Sequence, residues 1–497
     1  MNDNKRFLLL AAIVLVGIAL RIYFYIGHIF SDDAYYSYLS YTLLKGDFAK
    51  DYLGYPIFLL RITYLSLTAL AYKIFGINEF ATIVIPFSLS VANLLLTYKI
   101  VKLFTRDENV AILSVLFMAF FPTDIIFATI SFTDLPDIFF INLGIYFLYK
   151  SYKSGKYSQA FIGGLSFFVS MQIKENIYYV LIPLLLLFIY LFIKKNKVNF
   201  QILIGLSFIL LNTVLEGFAY LYLHNDFFYR LTVLQQNYIY SFYDFFPYTA
   251  QQFTGSKNYW KNLFVQVFII NLKSVLLRRF YLFTPLAAMI KSILNFKRKE
   301  YGLLSYWFLC TFILLVAFTT SFTEYKPLDL QRSWYIYPLL MPTIILTSLL
   351  IKSLNKFTRY SLVVMYIVGG VIMCTHYEGY FGKANNNELK SFLSNHPGVM
   401  IYTDHFTKYS VDLIRNYANP DFSRRISGSD FNWDEIKPGN WVLYNSKHID
   451  ELKLQKYKFP GFSILHSNLF RKVYSFGDFI IYEKAGKKEY QNHFNNL

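Results

Sequence analysis

The sequence predicts a polytopic α-helical membrane protein that ends in a small soluble α/β domain. Three observations predict it. Of 497 residues 55% are hydrophobic and only 16% charged, too little polar surface to clothe a soluble fold of this length. Apolar runs long enough to cross about 30 Å of hydrocarbon recur through the first 380 residues, with short Lys/Arg clusters between them. From about Asn385 the composition becomes that of a soluble domain.

The run Phe7 to Gly27 is a retained first span, because its apolar core is too long for a secretory signal and no small-residue cleavage site follows. Ser31 to Phe48 reads as an amphipathic helix headed by two acids. The stretch Ile57 to Phe75 carries Arg61 and Lys73 in a broken pattern, which predicts a helix in or near the outer interface rather than a span. Phe80 to Ile100, Ile177 to Ile193, Tyr335 to Leu350 and Leu362 to Cys374 are further spans, and the amphipathic, basic stretch Trp260 to Arg279 is a second outer-face helix.

Basic clusters at Lys5/Arg6, Lys99/Lys102/Arg106, Lys150/Lys153/Lys156, Lys194/Lys195/Lys197, Lys297/Arg298/Lys299 and Lys352/Lys356/Arg359 are cytoplasmic by the positive-inside rule. Requiring an even number of crossings between clusters leaves about eleven transmembrane helices, a cytoplasmic N-terminus and everything after Gly379 outside the cell membrane. Residues 1–380 therefore form the membrane domain, with a first outer loop at 28–79 that holds juxtamembrane helices. Residues 385–497 form an extracytoplasmic α/β domain, with strand-like runs Val399 to Thr403, Trp441 to Tyr444 and Phe479 to Tyr482 and a helix-like Ser410 to Tyr417.

The formal charge of +17 is spread through these clusters rather than gathered in one aromatic-interleaved patch, so nucleic acid is not a predicted partner. Cys310 and Cys374 lie in apolar runs and suggest neither a disulfide nor a metal site. The chain has no phosphate-binding glycine loop, HExxH, paired CxxC or GxSxG in a usable context, which removes support for nucleotide, zinc or serine hydrolysis. No cofactor or metal ligand set is predicted, and only a divalent cation is left open.

Asp32 and Asp33 stand where the first span meets the amphipathic helix. Adjacent acids repel, so one should take up a proton more readily, and a carboxylate at the mouth of a low-dielectric cavity suits a general base. Ser31 or Asp32 acting as a helix cap is the alternative. Thr133 and Asp134 ahead of Pro136 and Asp137 have the same two readings, cap or site. Lys174 is out of place at an outer span end unless an anion partners it, and Glu175 is the local candidate. With Arg61 and Arg332 it makes three cations on one outer face, suited to a lipid-anchored phosphate or to snorkelling toward head groups. His28, His224 and His376 lie near predicted outer boundaries and read as interfacial residues.

Five segments occur in an order that resembles the C-type glycosyltransferase superfamily, particularly its branch of protein O-mannosyltransferases and bacterial aminoarabinose transferases. They are DDAYYSYLSYTLLKGDF, GYPIFLLRITYLSLTALAYKIFGINEFATIVIP, FTDLPDIFF, MQIKEN and QRSWYIYPLLMP, and they cover about residues 1 to 350. The resemblance implies an inverting glycosyltransferase that takes a sugar from a polyprenyl-phosphate donor to a protein, lipid or glycan acceptor on the outer face. It implies Asp32 as general base supported by Asp33, an acceptor side at Asp134 and Tyr36, and donor-phosphate contacts from Lys174, Arg332 and Arg61. The chain departs from the branch at Tyr55, where a Lys often precedes the proline, and at Trp334, where an Arg commonly precedes the tyrosine. A transporter or flippase for an amphipathic solute, or a non-catalytic scaffold, are the other readings. A transporter wants polar groups near the midplane, whereas these acids gather at one edge.

Overall fold

The computed structural model describes residues 3–47, 56–195, 199–235, 265, 283–296, 301–317, 330, 333–417, 422–426, 431–446, 449 and 461–486. All of the second outer-face helix at Trp260 to Arg279 except residue 265, the cluster at Lys297 and the residue Arg332 fall outside them.

Five described helical segments are long and apolar enough to cross a membrane: Asn4–Tyr23, Glu79–Thr105, Glu175–Lys194, Phe200–His224 and Lys356–Tyr380. They belong to the helices α1 (Asp3–Tyr23), α4 (Glu79–Thr105), α9 (Tyr178–Lys195), α10 (Phe200–His224) and α14 (Lys356–Tyr380). Shorter elements fill the bundle: α5 (Glu108–Ala119), α6 (Pro122–Phe127), α7 (Asp134–Ser154), α8 (Tyr157–Met171), α11 (Phe283–Asn295), α12 (Gly302–Ala317) and α13 (Tyr337–Ser353). Their buried faces meet in one apolar core that includes Phe117, Phe127, Phe167, Phe308 and Tyr366. Large apolar side chains such as Phe7, Leu210, Phe218 and Ile372 stay exposed, as a lipid-facing surface requires.

Inside that core Arg21 of α1, fully buried, donates from Nε to Ser90 Oγ of α4 at 2.6 Å and pairs with Asp124 of α6. Three helices are thereby joined by one buried ion-pair network. A buried charge survives only when it is paired in this way.

The first loop forms α2 (Asp32–Lys45), a 3-10 turn (Pro56–Leu60) and α3 (Ile62–Phe75). The single interfacial helix expected over Ile57 to Phe75 is thus broken at Arg61, which is the residue before α3 and is only 4% exposed. The break has a cause in the side chain: the Arg61 guanidinium turns inward to Glu175 and to the carbonyl of Ile173, so it does not snorkel.

The C-terminal part contains α15 (Lys383–Ser394), α16 (His405–Ile414) and strands β1 (Ile401–Thr403), β2 (Ser423–Arg425), β3 (Trp441–Asn445), β4 (Phe470–Phe476) and β5 (Phe479–Lys484). The sheet order is β2-β1-β3-β5-β4; β1 runs parallel to β2 and β3, and β5 antiparallel to β3 and β4. The helix expected at Ser410 to Tyr417 begins earlier, because Asp404 accepts from the Thr407 N–H at 3.0 Å, and it stops before Asn416 and Tyr417, both left-handed. The core of this part, with Leu389, Ile401, Val411, Leu443 and Ile481, takes in Phe30 from the first loop.

Gly27 makes the turn from α1 into that loop at φ +77°, and a Cβ there would lie 1.9 Å from Glu79 Oε1. Gly27→Ala combines a left-handed backbone with displacement of Glu79 and is expected to cost about 2 kcal/mol or more, read as a fall in the thermal midpoint.

Candidate active site

The site is assembled where the end of α1 and the starts of α2, α3 and α7 meet the end of α8. The chain leaving α1 is fastened to the α6–α7 connection: the Ile26 N–H donates to Thr129 Oγ1 at 3.1 Å and the Gly27 N–H to the Thr129 carbonyl at 3.0 Å. Asp33 then ties the turn. Its carboxylate accepts from the Ile29 N–H at 2.9 Å and the Ser31 N–H at 2.8 Å, and pairs with His28 Nδ1. Burial pushes the Asp33 carboxyl up, but His28 and the two backbone donors outweigh it and hold the group below its ordinary range.

Ser31 occupies the capping position of α2, and its side chain makes no cap bond. Successive helical residues point about 100° apart, and the two acids separate accordingly: Asp33 is buried toward the loop, whereas Asp32 is exposed. One turn on, Tyr36 lies on the same face as Asp32 and feels its charge.

Tyr36 is the hub of the cluster. Its ring packs edge-on against Phe58 and Tyr64 at 5.0 and 5.4 Å, and its hydroxyl hydrogen-bonds with Thr133. Burial raises its phenol above the ordinary value, with Arg61 and Lys174 pulling it back and Asp32 adding to the rise. Thr133, the residue before α7, makes no side-chain cap bond either.

Lys174 Nζ donates to Asp134 Oδ1 at 2.5 Å, both side chains largely buried. Burial alone would lower the ammonium's pKa, but Asp134 more than offsets it, so Lys174 is raised and stays charged. Its partner is therefore Asp134 and not the adjacent Glu175. Residues expected on opposite sides of the reaction, Asp134 toward the acceptor and Lys174 toward the donor phosphate, form one ion pair.

Glu175 serves two arginines. It accepts from Arg61 Nη1 at 2.5 Å, and Arg230 Nη1 lies 3.4 Å away. Arg230, just beyond α10, grips Glu216 through two nitrogens, with Nε at 2.8 Å, and reaches the Leu60 carbonyl at 3.1 Å, one residue before Arg61. Asp137, a turn into α7 and fully buried, accepts from Ser170 Oγ at 2.5 Å. His28, Arg230 and Glu216 were not anticipated as site residues. Glu216 had a legible signal, since an acid within an apolar helix needs a buried partner.

Among the described residues no three His, Cys, Asp or Glu side chains gather as metal ligands. Asp134, Glu175 and Asp33 are each held by a cationic or imidazole partner.

Residues 62–215 match the family model described as dolichyl-phosphate-mannose-protein mannosyltransferase. Compared with curated proteins by sequence, the chain has no match. Among solved structures it is similar to ArnT from Cupriavidus metallidurans bound to undecaprenyl phosphate, with TM-score 0.61, 11% identity, and 98% of this chain and 99% of that one covered. It is also similar to the archaeal oligosaccharyltransferase AglB from Archaeoglobus fulgidus, in complex with an inhibitory peptide and a dolichol-phosphate. There the TM-score is 0.52 and the identity 11%, with 91% of this chain and 70% of that one covered. With its apolar helices and this fold, the protein is a multi-pass membrane protein. By its matched segment and its shared fold the chain is similar to the C-type glycosyltransferases, on the side of the protein mannosyltransferases and ArnT.

Proposed function

We propose that this protein transfers a sugar from a polyprenyl-phosphate donor to an acceptor hydroxyl on a protein, lipid or glycan, with inversion at the anomeric carbon. The observation that carries the reading is the gathering of an exposed carboxylate, Asp32, with two cations, Lys174 and Arg61, around Tyr36 at one end of an ArnT-like bundle. In the proposed reaction Asp32 takes the proton from the acceptor hydroxyl as its oxygen bonds to the anomeric carbon. The bond from that carbon to the phosphate oxygen breaks, and the lipid phosphate leaves with the electron pair. Lys174 and Arg61, with Arg332, stabilise the charge that develops on it, while Asp134 and Tyr36 shape the acceptor side.

The accompanying topology is about eleven spans in residues 1–380, a cytoplasmic N-terminus and an extracytoplasmic domain at 385–497. It follows from the distribution of basic clusters.

The test is transfer or donor hydrolysis by the purified protein in lipid with a panel of polyprenyl-phosphate sugars. Turnover of one donor class supports the reading, and no turnover of any donor shifts weight to a transporter or scaffold. A second expectation uses the same assay. Lys174→Met combined with Asp134→Asn, which avoids stranding a buried carboxylate, should raise the donor KM about 10- to 100-fold, the value of one charged hydrogen bond to phosphate.

A further inference from the structure

The second acid of the pair does not face the site, and the groups around it lead into the C-terminal domain. Asp33 accepts from the backbone on either side of Phe30 and from His28, so a single carboxylate holds the whole turn that delivers Asp32. Phe30 is left-handed at φ +60°, unusual for a bulky residue, and persists only if its surroundings enforce it.

Those surroundings come largely from beyond residue 380. The Phe30 ring lies 5.1 Å from that of Phe479 on β5, and Asn386 Nδ2 of α15 donates to the His28 carbonyl at 3.3 Å. Lys390, also on α15, pairs with Glu79 at 2.7 Å, and Glu79 accepts from the His28 N–H at 3.2 Å and the Tyr25 hydroxyl at 2.8 Å. Farther along α2, Tyr38 stacks on Tyr409 at 4.0 Å and Tyr41 on Tyr417 at 4.3 Å. The C-terminal domain thus grips α2 at its start and along its flank.

His28 is costly for a purely structural residue. Its ring is buried, and among the described residues Nε2 has no hydrogen-bond partner, a penalty that an apolar side chain of similar size would avoid. Among the described residues the hydrogen bond of the ring runs between Nδ1 and the Asp33 carboxylate.

We infer that His28, buttressed by Asn386 and Phe479 of the C-terminal domain, is a positioning residue that acts through Asp33 to set the location of Asp32. The inference rests on Asp32 being the base. It makes the C-terminal domain part of the catalytic geometry, since a reacting group displaced by about 1 Å costs on the order of 100-fold in rate.

The test compares wild type, Asp32→Asn, His28→Leu, His28→Asn and Phe479→Leu as purified full-length proteins in lipid, with kcat, donor KM and thermal midpoint measured for each. His28→Leu is expected to lower kcat about 10- to 100-fold with donor KM within about threefold of wild type. His28→Asn, whose amide keeps a donor toward Asp33, should recover most of that loss. If His28→Leu does not fold, Phe479→Leu carries the same expectation of reduced kcat at constant KM. Wild-type kcat in His28→Leu, equal losses in His28→Leu and His28→Asn, or a change confined to KM overturns the inference while an inactive Asp32→Asn keeps the base. An active Asp32→Asn, or no turnover by wild type, overturns the base assignment or the reaction itself, and this inference with it.

Discussion

Asp32→Asn should lower kcat by about two to four orders of magnitude, the usual contribution of a positioned general base, with donor KM little changed. The substitution keeps size and shape at an exposed position, so the fold should be unaffected. What it removes is the capacity to accept a proton. The neighbouring acid is the natural control. Asp33→Asn keeps a carbonyl for one backbone donor but loses the carboxylate that faces His28, Ile29 and Ser31 together, so its main effect should be on stability. Steady-state kinetics and thermal unfolding of the two single variants separate these outcomes. Equal kinetic losses without a stability difference would mean that the pair acts as one catalytic unit.

Arg230→Met should be the most destabilising substitution in the site, by about 3–5 kcal/mol, because it removes one partner from a buried ionic chain. Glu216, 8% exposed at its side chain, would lose both nitrogens that neutralise it within an apolar helix, and Glu175 would keep only Arg61. The loss belongs to the stranded carboxylate more than to the missing arginine. Arg230→Met combined with Glu216→Gln should therefore recover much of the stability, whereas Arg230→Lys, with a point charge in place of a fork, should recover less. Thermal midpoints of the three variants in detergent decide it. If the double variant is no more stable than the single one, the stranded-charge explanation fails. Activity should fall too, since Arg230 also holds the Leu60 carbonyl beside Arg61.

Much of the architecture is legible in one dimension because a bilayer imposes a local rule: each spanning segment must be apolar over a length set by the hydrocarbon. The spans at Phe80 to Ile100 and Ile177 to Ile193 accordingly fall within α4 and the Glu175–Lys194 segment. Three of the five strands of the sheet were also expected, since Val399 to Thr403, Trp441 to Tyr444 and Phe479 to Tyr482 overlap β1, β3 and β5. The polar SRR of β2 and the basic FRKVYSF of β4 lack that apolar signature, and only pairing with their neighbours makes them strands.

By itself, then, the sequence determined that this is a membrane bundle with a mixed C-terminal domain, and that acids and misplaced cations mark one end of its helices. Hydropathy and charge act residue by residue, so they can be read in chain order. Only the tertiary structure decided the partners: Lys174 with Asp134 instead of Glu175, Glu175 with Arg61 and Arg230, and Asp33 turned away from Asp32 to bind His28. Those pairings join residues up to 114 positions apart, as in the bond from Arg61 to Glu175. A charge buried away from water takes whichever counter-charge the packing brings within reach.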